Sequence, residues 1–303
     1  MRATPVPFPS RVRSAAVAVQ ALAIATALAL LAPGAAPPAS GSAVAPTEPR
    51  PTTRFQISSF NLLGAAHTEA DGNKPAYASG ARRMRWSLRI LDEGGVDVVG
   101  FQEMERSQYE RFMYLRGSSF GIYPAEAVGN TARPNSIAWR LDAWSLVSAR
   151  TITVPYLRGR LIQQPVVLLR NVQTHRRAWF LNTHNPADAR GPAQHLRDEA
   201  VRIQIAEVNR LRAETPFLPV FFTGDMNDRE EFFCPVTART ELRAANGGSN
   251  VGGVCVLPRP SKIDWIMGTR EVAFSDYLAR DDELVDRTTD HPVIMATASI
   301  PPR

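Results

Sequence analysis

The sequence is poor in cysteine, lysine and histidine, and these shortages limit its chemistry. Cys234 and Cys255 are the only cysteines, and no histidine or second cysteine pair lies near them, so we expect no structural zinc site there. Lys74 and Lys262 are the only lysines, and arginine supplies every other basic side chain. Arginine suits bidentate contact with phosphate, but such a bias can equally reflect the base composition of a genome. The formal net charge of +6 is too small to indicate nucleic-acid binding by itself.

Residues 1–45 have the layout of a secretory signal peptide and its cleavage region. A basic start without acids leads into residues 15–32, which are almost wholly apolar, and small residues follow. An uncleaved membrane anchor is the alternative, because a helix of about 18 apolar residues begins to span a bilayer. The small-residue tail and the interrupting Gln20 favour cleavage. We therefore expect a secreted, extracellular protein with no stable membrane insertion after signal cleavage.

Residues 46–54 are rich in proline and threonine and lack apolar periodicity, which is typical of a linker. Residues 55–303 then form one domain of about 250 residues, a length that suffices for a sizeable core. No internal repeat or second linker interrupts this stretch. We expect the domain to be a monomer.

The cysteine pair is most simply a disulfide. Cys234 and Cys255 are an even pair in a chain predicted to enter an oxidising compartment. The bond would close a loop of about 20 residues and contribute about 3 kcal/mol in the loop-entropy model.

Apolar patterns predict strands and helices that alternate along the chain. Strands are predicted at 55–60, 96–101, 136–139, 144–154, 166–172, 178–182, 219–223, 262–267 and 293–299. Helices are predicted at 77–91, 105–116 and 194–211. Because the helices fall between strands rather than in one block, the sequence predicts a mixed α/β domain with more than one sheet layer.

The segment 219–227, P-V-F-F-T-G-D-M-N, indicates where a ligand would bind. An apolar strand ends at Gly224, and Asp225 and Asn227 follow. Residues two apart at a strand end point the same way, and ligands of α/β proteins usually bind beyond the carboxyl ends of strands. Taken alone, the segment is better read as a turn, since Gly, Asp and Asn are common turn formers.

Other predicted strands also end in, or contain, polar side chains. These residues are Asn61, Glu103, His184, Asp264, Asp290 and His291. Singly, each has an ordinary structural reading, such as a cap, a turn or an ion pair. Together they offer carboxylates, carboxamides and two histidines, which suit a hard cation such as Mg²⁺ or Mn²⁺ better than Zn²⁺. A histidine beside such a cation would also be available for proton transfer.

The motifs resemble those of the endonuclease/exonuclease/phosphatase superfamily of divalent-metal phosphoesterases, from about residue 55 to residue 300. In order they are S-F-N-L at Asn61, F-Q-E at Glu103, N-T-H at His184, G-D-M-N at Asp225 and Asn227, I-D-W at Asp264, and D-H-P at Asp290 and His291. The resemblance implies a four-layered α/β sandwich, in which two packed β-sheets are flanked by helices.

Within the superfamily, the sequence is most similar to pancreatic-type secreted deoxyribonucleases. The segment Y-P-A-E-A-V-G-N points to Glu126 as the residue that orients the first catalytic histidine in that branch. Cys234 and Cys255 bracket a loop much as a disulfide does there. Glu105 departs from the branch, which carries a DNA-contacting arginine at that position, and this argues against assuming DNA as the substrate.

The resemblance assigns the metal to Glu103, with Asn61 and Asp290 near it. It also assigns His291 as the general base that draws a proton from the attacking water. A carboxylate behind an imidazole fixes its tautomer, and Asp264 is the residue implied for that position.

The remaining implied roles surround the phosphate. Asp225 and Asn227 would position the nucleophile and hold phosphate oxygens or metal. His184, oriented by Glu126, would donate a proton or hydrogen bond to the departing oxygen on the opposite side of phosphorus.

The function expected from these residues is metal-dependent phosphodiester hydrolysis, with extracellular nucleic acid as the leading substrate. A sphingomyelinase-type phospholipase C and a phosphomonoesterase are alternatives, because the same centre serves all three and loops decide the substrate. A sphingomyelinase would expose an apolar hairpin, for which 231–233 and 274–277 are short candidates. A non-enzymatic or toxin-subunit module would be expected to lack a residue of the centre, and none is missing.

Overall fold

The computed structural model describes residues 51–69 and 71–302. The predicted signal peptide and residues 46–50 of the predicted linker lie outside the described residues. The linker prediction is wrong at its end, because Thr53 and Arg54 belong to the first strand and pair with Ile300 and Ser299 of the last one. Cross-strand pairing with a distant segment, rather than an apolar pattern, makes these polar residues a strand.

The described chain folds into strands and helices that overlap every predicted element. In order they are β1 (Thr53–Asn61), α1 (Gly80–Glu93), β2 (Val98–Gln102), α2 (Arg106–Arg116), β3 (Phe120–Tyr123), β4 (Ile137–Arg140), β5 (Trp144–Pro155), β6 (Leu161–Asn171), β7 (Arg177–His184), α3 (Gln194–Glu214), β8 (Val220–Asp225), α4 (Glu230–Arg239), β9 (Leu242–Ala244), β10 (Ser249–Val251), β11 (Val254–Val256), β12 (Asp264–Thr269), β13 (Ala273–Arg280), α5 (Glu283–Asp286) and β14 (Val293–Ile300). The sequence patterns missed the short strands β3 and β9–β11, the exposed strand β13, and helices α4 and α5.

Two mixed sheets of six strands form the centre of the domain. The first sheet has the order β13-β14-β1-β2-β4-β3, and the second has the order β5-β6-β7-β8-β12-β9. Strands β1 and β2 are parallel in the first sheet, and β7 and β8 are parallel in the second. With helices on the outer faces, this arrangement confirms the predicted four-layered α/β sandwich.

Aromatic side chains fill the space between the two sheets. Phe180 and Phe221 stack with ring centroids 5.0 Å apart, and Phe55 meets the edge of Trp144 at 4.9 Å. All four are buried, and full burial of such a side chain contributes about 1.5–3 kcal/mol. A second apolar layer joins the first sheet to α1 and α2, and a third joins the second sheet to α3 and α4.

Near one edge, the layer between the sheets becomes polar. Asn182 of β7 accepts hydrogen bonds through its Oδ1 from Gln102 Nε2 at 2.6 Å and Thr223 Oγ1 at 3.1 Å. The sheets approach closely here because Gly100 has no side chain; a Cβ would lie 2.2 Å from Thr223 Oγ1 and 2.3 Å from Asn182 Oδ1. This polar layer lies beneath the strand ends that carry the predicted site residues.

The disulfide predicted between Cys234 and Cys255 is present, with a Cα–Cα distance of 5.8 Å. It joins α4 to β11 and so ties the β10–β11 hairpin to the second sheet's outer helix layer. Within residues 51–69 and 71–302, no helix is both long enough and apolar enough to cross a membrane.

Candidate active site

Asp225 is the centre of a buried polar cluster at the carboxyl ends of the parallel strands. Its Oδ2 accepts a hydrogen bond from Asn61 Nδ2 at 3.0 Å. The same oxygen lies 3.5 Å from His184 Nε2 and 3.7 Å from His291 Nε2. Its Oδ1 accepts from the backbone N–H of Asn227 at 3.0 Å. The two predicted catalytic histidines therefore converge on one carboxylate oxygen.

Strand pairing brings these residues together. Asn61 of β1 lies beside Gln102 of β2, so Glu103 follows at the same edge. In the second sheet, Asp225 ends β8 beside His184 at the end of β7. Antiparallel β12 begins at this edge, since Asp264 pairs directly with Asp225.

Buried Asp264 and partly buried His291 form an acid–imidazole pair. His291 Nδ1 lies 3.0 Å from Asp264 Oδ2 and 3.2 Å from Asp264 Oδ1. Burial alone would lower the pKa of His291, but the hydrogen bond and charge of Asp264, with the charges of Asp225 and Asp290, raise it above its usual value. Burial raises the pKa of Asp264 in turn, and the charge of Asp225 adds to this, although the bond to His291 opposes it. The geometry suits an imidazole whose Nε2 faces the centre while Nδ1 is held from behind.

Glu103 shares the amide of Asn61 with Asp225. Its Oε1 accepts from Asn61 Nδ2 at 3.1 Å, and its Oε2 accepts from the backbone N–H of Gly64 at 2.7 Å. Burial raises the pKa of Glu103, but the charge of His184 and the two hydrogen bonds together bring it below its usual value. Glu103 is thus held ionised, as a metal ligand must be.

Asp290 forms an ion pair with Lys74, whose Nζ lies 2.5 Å from its Oδ2. Burial raises the pKa of Asp290, but the hydrogen bond to Lys74 and the charges of His291 and Lys74 outweigh this and bring it below its usual value. Of the three predicted metal ligands, the structure joins Asn61 and Glu103 directly, and Asp290 is engaged by Lys74.

The cluster fits a divalent cation by the chemistry of its donors. Glu103, Asp225, Asp264 and Asp290 place four carboxylates at one edge, and oxygen donors are what Mg²⁺ and Mn²⁺ prefer. Asp225, Asp264 and His291 also have ligand atoms within 4.8 Å of one another. Several carboxylates this close together are costly to bury unless positive charge, from Lys74 or a bound cation, offsets them.

His184 is held by Tyr156, a residue that the sequence analysis did not identify. The phenol oxygen of Tyr156 lies 3.4 Å from His184 Nδ1, and Asn227 Nδ2 lies 3.3 Å from Nε2 on the other side of the ring. Burial, together with the charges of Glu103 and Asp225, raises the pKa of Tyr156 well above its usual value, so the phenol stays protonated. A tyrosine just after a long strand is most often a packing residue, and no sequence signal distinguished this one.

The predicted role of Glu126 in orienting His184 is not supported by the geometry. Its carboxylate is about half exposed and lies 3.3 Å from Arg133 Nη1 and 4.0 Å from Arg106 Nη1. The two arginines hold the carboxylate, and Tyr156 lies beside His184 Nδ1 instead. The sequence motif identified the loop that carries Glu126 but not the direction in which the Glu126 side chain points.

Glu105, which departs from the deoxyribonuclease pattern, has a structural role. It caps the start of α2 in a reciprocal arrangement with Gln108, and its Oε2 accepts from the backbone N–H of Ala66 at 2.7 Å. The capped helix thereby holds the loop at residues 64–66 against Glu103.

A cavity of about 210 Å³ opens beside the centre. Its lining includes Glu103, His184, Tyr156, Arg160 and His67. A phosphate group in this cavity would meet positive charge from Arg160 on the side of His184.

Comparison with known proteins agrees with the geometry. A model of the Endonuclease/Exonuclease/phosphatase family matches residues 58–291, so the chain belongs to that family. Its members are metal-dependent phosphoester hydrolases, and this chain is an enzyme of that class. No relative was found by comparing the sequence with curated proteins.

Solved structures share the fold at low sequence identity. A family protein from Bacteroides thetaiotaomicron has a TM-score of 0.65 at 15% identity, covering 83% of this chain and 96% of its own. The human Nocturnin catalytic domain with bound sulfate anion has a TM-score of 0.59 at 14% identity, covering 81% and 94%. A mannosyl-6-phosphatase from Bacteroides thetaiotaomicron has a TM-score of 0.59 at 16% identity, covering 80% and 99%.

Proposed function

We propose that this protein is a secreted phosphodiesterase that uses Mg²⁺ or Mn²⁺ to hydrolyse extracellular nucleic acid. The observation that carries the proposal is the placement of His184 Nε2 and His291 Nε2 at 3.5 Å and 3.7 Å from the same oxygen of Asp225. Two imidazoles that converge on one point, one from the end of β7 and one from the loop before β14, suit an in-line displacement at phosphorus, which needs one for each of the attacking and leaving oxygens.

The hydrogen-bond partners of the two histidines indicate which role each one has. His291, backed by Asp264, takes the proton of the attacking water at Nε2, and the carboxylate stabilises the imidazolium that forms. His184 faces the leaving oxygen, with Tyr156 holding its Nδ1 and Asn227 its Nε2 side. A divalent ion bound by Glu103 and Asn61 would neutralise charge on the phosphate oxygens.

Export is proposed from the sequence of residues 1–45, with the basic start and apolar middle of a secretory signal. The Cys234–Cys255 bond supports it, because disulfides persist in oxidising compartments. Detection of the mature chain in the medium of an expressing culture, shortened at its N-terminus, is the expected result. Retention of the full-length chain in the membrane fraction would contradict it.

The activity is tested by nicking of supercoiled plasmid and cleavage of RNA with Mg²⁺ or Mn²⁺, with and without chelator. We expect chelator-sensitive cleavage that falls about 10²–10⁴-fold in His291→Ala, the range for loss of a general base. His175→Asn is the matched control, since His175 lies in the β6–β7 turn at the opposite end of the second sheet. Folded, metal-loaded protein that hydrolyses p-nitrophenyl phosphate but no nucleic acid would favour a phosphomonoesterase instead.

A phospholipase C is the second candidate, because the β10–β11 hairpin is apolar on its exposed surface. Val251, Val254 and Val256 are 76%, 66% and 51% exposed. The segment 231–233 suggested by sequence does not serve this role, since Phe232 and Phe233 are buried in the core. In the segment 274–277, Phe274 and Tyr277 are partly buried against the core between the sheets. Co-sedimentation with sphingomyelin vesicles that is lost in Val251→Ser/Val254→Ser, together with vesicle hydrolysis, would favour the lipid substrate.

A further inference from the structure

A second groove, lined only by positive or neutral side chains, is formed by two segments that also contribute to the catalytic centre. It has a volume of about 300 Å³ and lies between the loop after β5 and the segment that joins β7 to α3. Its charged or titratable side chains are Arg158, Arg190 and His195, and no carboxylate lines it. We call it the basic groove.

The two arginines of the basic groove have no acidic partner. Some exposed arginines elsewhere in the described chain pair with carboxylates, as Arg202 does with Glu199 at 2.5 Å. Within the described residues, no carboxylate oxygen lies within 4.0 Å of Arg158 or Arg190; the nearby Asp188 instead accepts from Arg197 at 3.1 Å and from the backbone N–H of Ala193 at 2.8 Å. Unpaired positive charges on facing loops raise the local potential and attract an anion.

The same two segments also supply the leaving-group side of the catalytic centre. Tyr156 and Arg160 lie at the base of the first loop, where the N–H of Tyr156 donates to the carbonyl of Arg160 at 2.8 Å, and both residues line the cavity that contains His184. Arg158 is at the tip, with a positive φ of 58°. His184 ends β7, from which the second segment departs. The basic groove and the cavity that contains His184 are therefore formed in part by the same two segments of the chain.

We propose that the basic groove binds a further phosphate of the nucleic-acid strand, on the leaving-group side of the bond that is cut. The inference rests on the proposed function and narrows it to substrates that carry more than one phosphodiester. A small diester with a single phosphate reaches only the catalytic cavity, whereas a strand reaches both.

The test compares two double variants on two substrates. Arg158→Gln/Arg190→Gln removes the charges of the basic groove. Arg239→Gln/Arg243→Gln is the control, because both arginines are exposed and lack ion pairs within the described chain. Arg243 lies away from the site, since it pairs with Gly268 near the end of β12, whereas Asp264 begins that strand. The substrates are a short single-stranded oligonucleotide, as DNA and as RNA, and bis(p-nitrophenyl) phosphate. Oligonucleotide binding is also measured by fluorescence anisotropy in chelator, independently of turnover.

We expect Arg158→Gln/Arg190→Gln to lower kcat/KM for the oligonucleotide about tenfold or more, and to weaken binding similarly, while hydrolysis of bis(p-nitrophenyl) phosphate is retained. If each arginine contacts one phosphate, the plot of log binding constant against log salt concentration should also become shallower in the variant, by about 0.7 for each lost contact. The inference would be overturned if the substitutions left the oligonucleotide rate unchanged, or if the rate fell equally in the control. Either result would leave the proposed phosphodiesterase function standing. Wild-type protein that hydrolyses only the small diester would also overturn it. Failure on both substrates would contradict the proposed function itself.

Discussion

Lys74 Nζ lies 2.5 Å from Asp290 Oδ2, so one of the two lysines in the chain engages a carboxylate that the family resemblance assigns to the metal site. The hydrogen bond that Lys74 donates to Asp290 raises the pKa of Lys74, and the negative charges of Asp290 and Glu103 raise it further. A divalent cation would have to compete with this ammonium for Asp290.

Lys74→Met should therefore tighten binding of Mg²⁺ or Mn²⁺. Removing one competing charge from a partly exposed pair is worth about 1 kcal/mol, which corresponds to about a fivefold lower Kd. Titration calorimetry on chelator-treated protein measures it, with Arg239→Gln as a control of equal charge change at the end of α4. Weaker or unchanged metal binding in Lys74→Met would show that Lys74 does not compete.

Tyr156→Phe should lower kcat more than it changes KM, because His184 Nδ1 loses its hydrogen-bonding partner while the ring that packs around it remains. A loss of about tenfold is expected from a misoriented catalytic histidine. Glu126→Gln is the comparison, and it should retain near wild-type kcat since its carboxylate pairs with Arg133. The opposite ranking of the two variants would restore Glu126 as the residue that orients His184. Steady-state kinetics with bis(p-nitrophenyl) phosphate measures both.

The sequence predicted some residues of the site but not others. Asn61, Glu103, His184 and Asp225 were predicted because each ends a recognisable apolar strand, and parallel pairing then brings such ends to one edge. The sequence did not predict the roles of Tyr156 and Lys74, or where the side chain of Glu126 points, because each depends on contacts between segments that are distant in sequence. Strand β13 was missed for a related reason: none of its side chains is fully buried, so it carries no clear apolar pattern, and pairing with β14 makes it a strand.

The Asp264–His291 pair should make the stability of chelator-treated protein depend on pH. The pKa of His291 is raised above its unfolded value of about 6.5, so its contribution is fully present below that pH and is lost as the pH rises through the folded pKa. Urea unfolding from pH 6 to alkaline pH should show a declining free energy of unfolding. The double variant Asp264→Asn/His291→Gln should lack this component. Equal decline in both proteins would assign the pH dependence to other groups.

Gly100→Ala should destabilise the domain and reduce activity together, because the two sheets meet at this residue beneath the site. The added methyl would lie 2.2 Å from Thr223 Oγ1 and 2.3 Å from Asn182 Oδ1, and neither side chain is free to move within its buried hydrogen bonds. Overpacking of this kind costs about 1–3 kcal/mol, measured as the free energy of unfolding in urea. Thr223→Ala in the Gly100→Ala background removes the nearest obstructing atom and should recover part of that loss. If the double variant is no more stable than Gly100→Ala, the contact with Asn182, which also bonds Gln102, sets the spacing of the sheets.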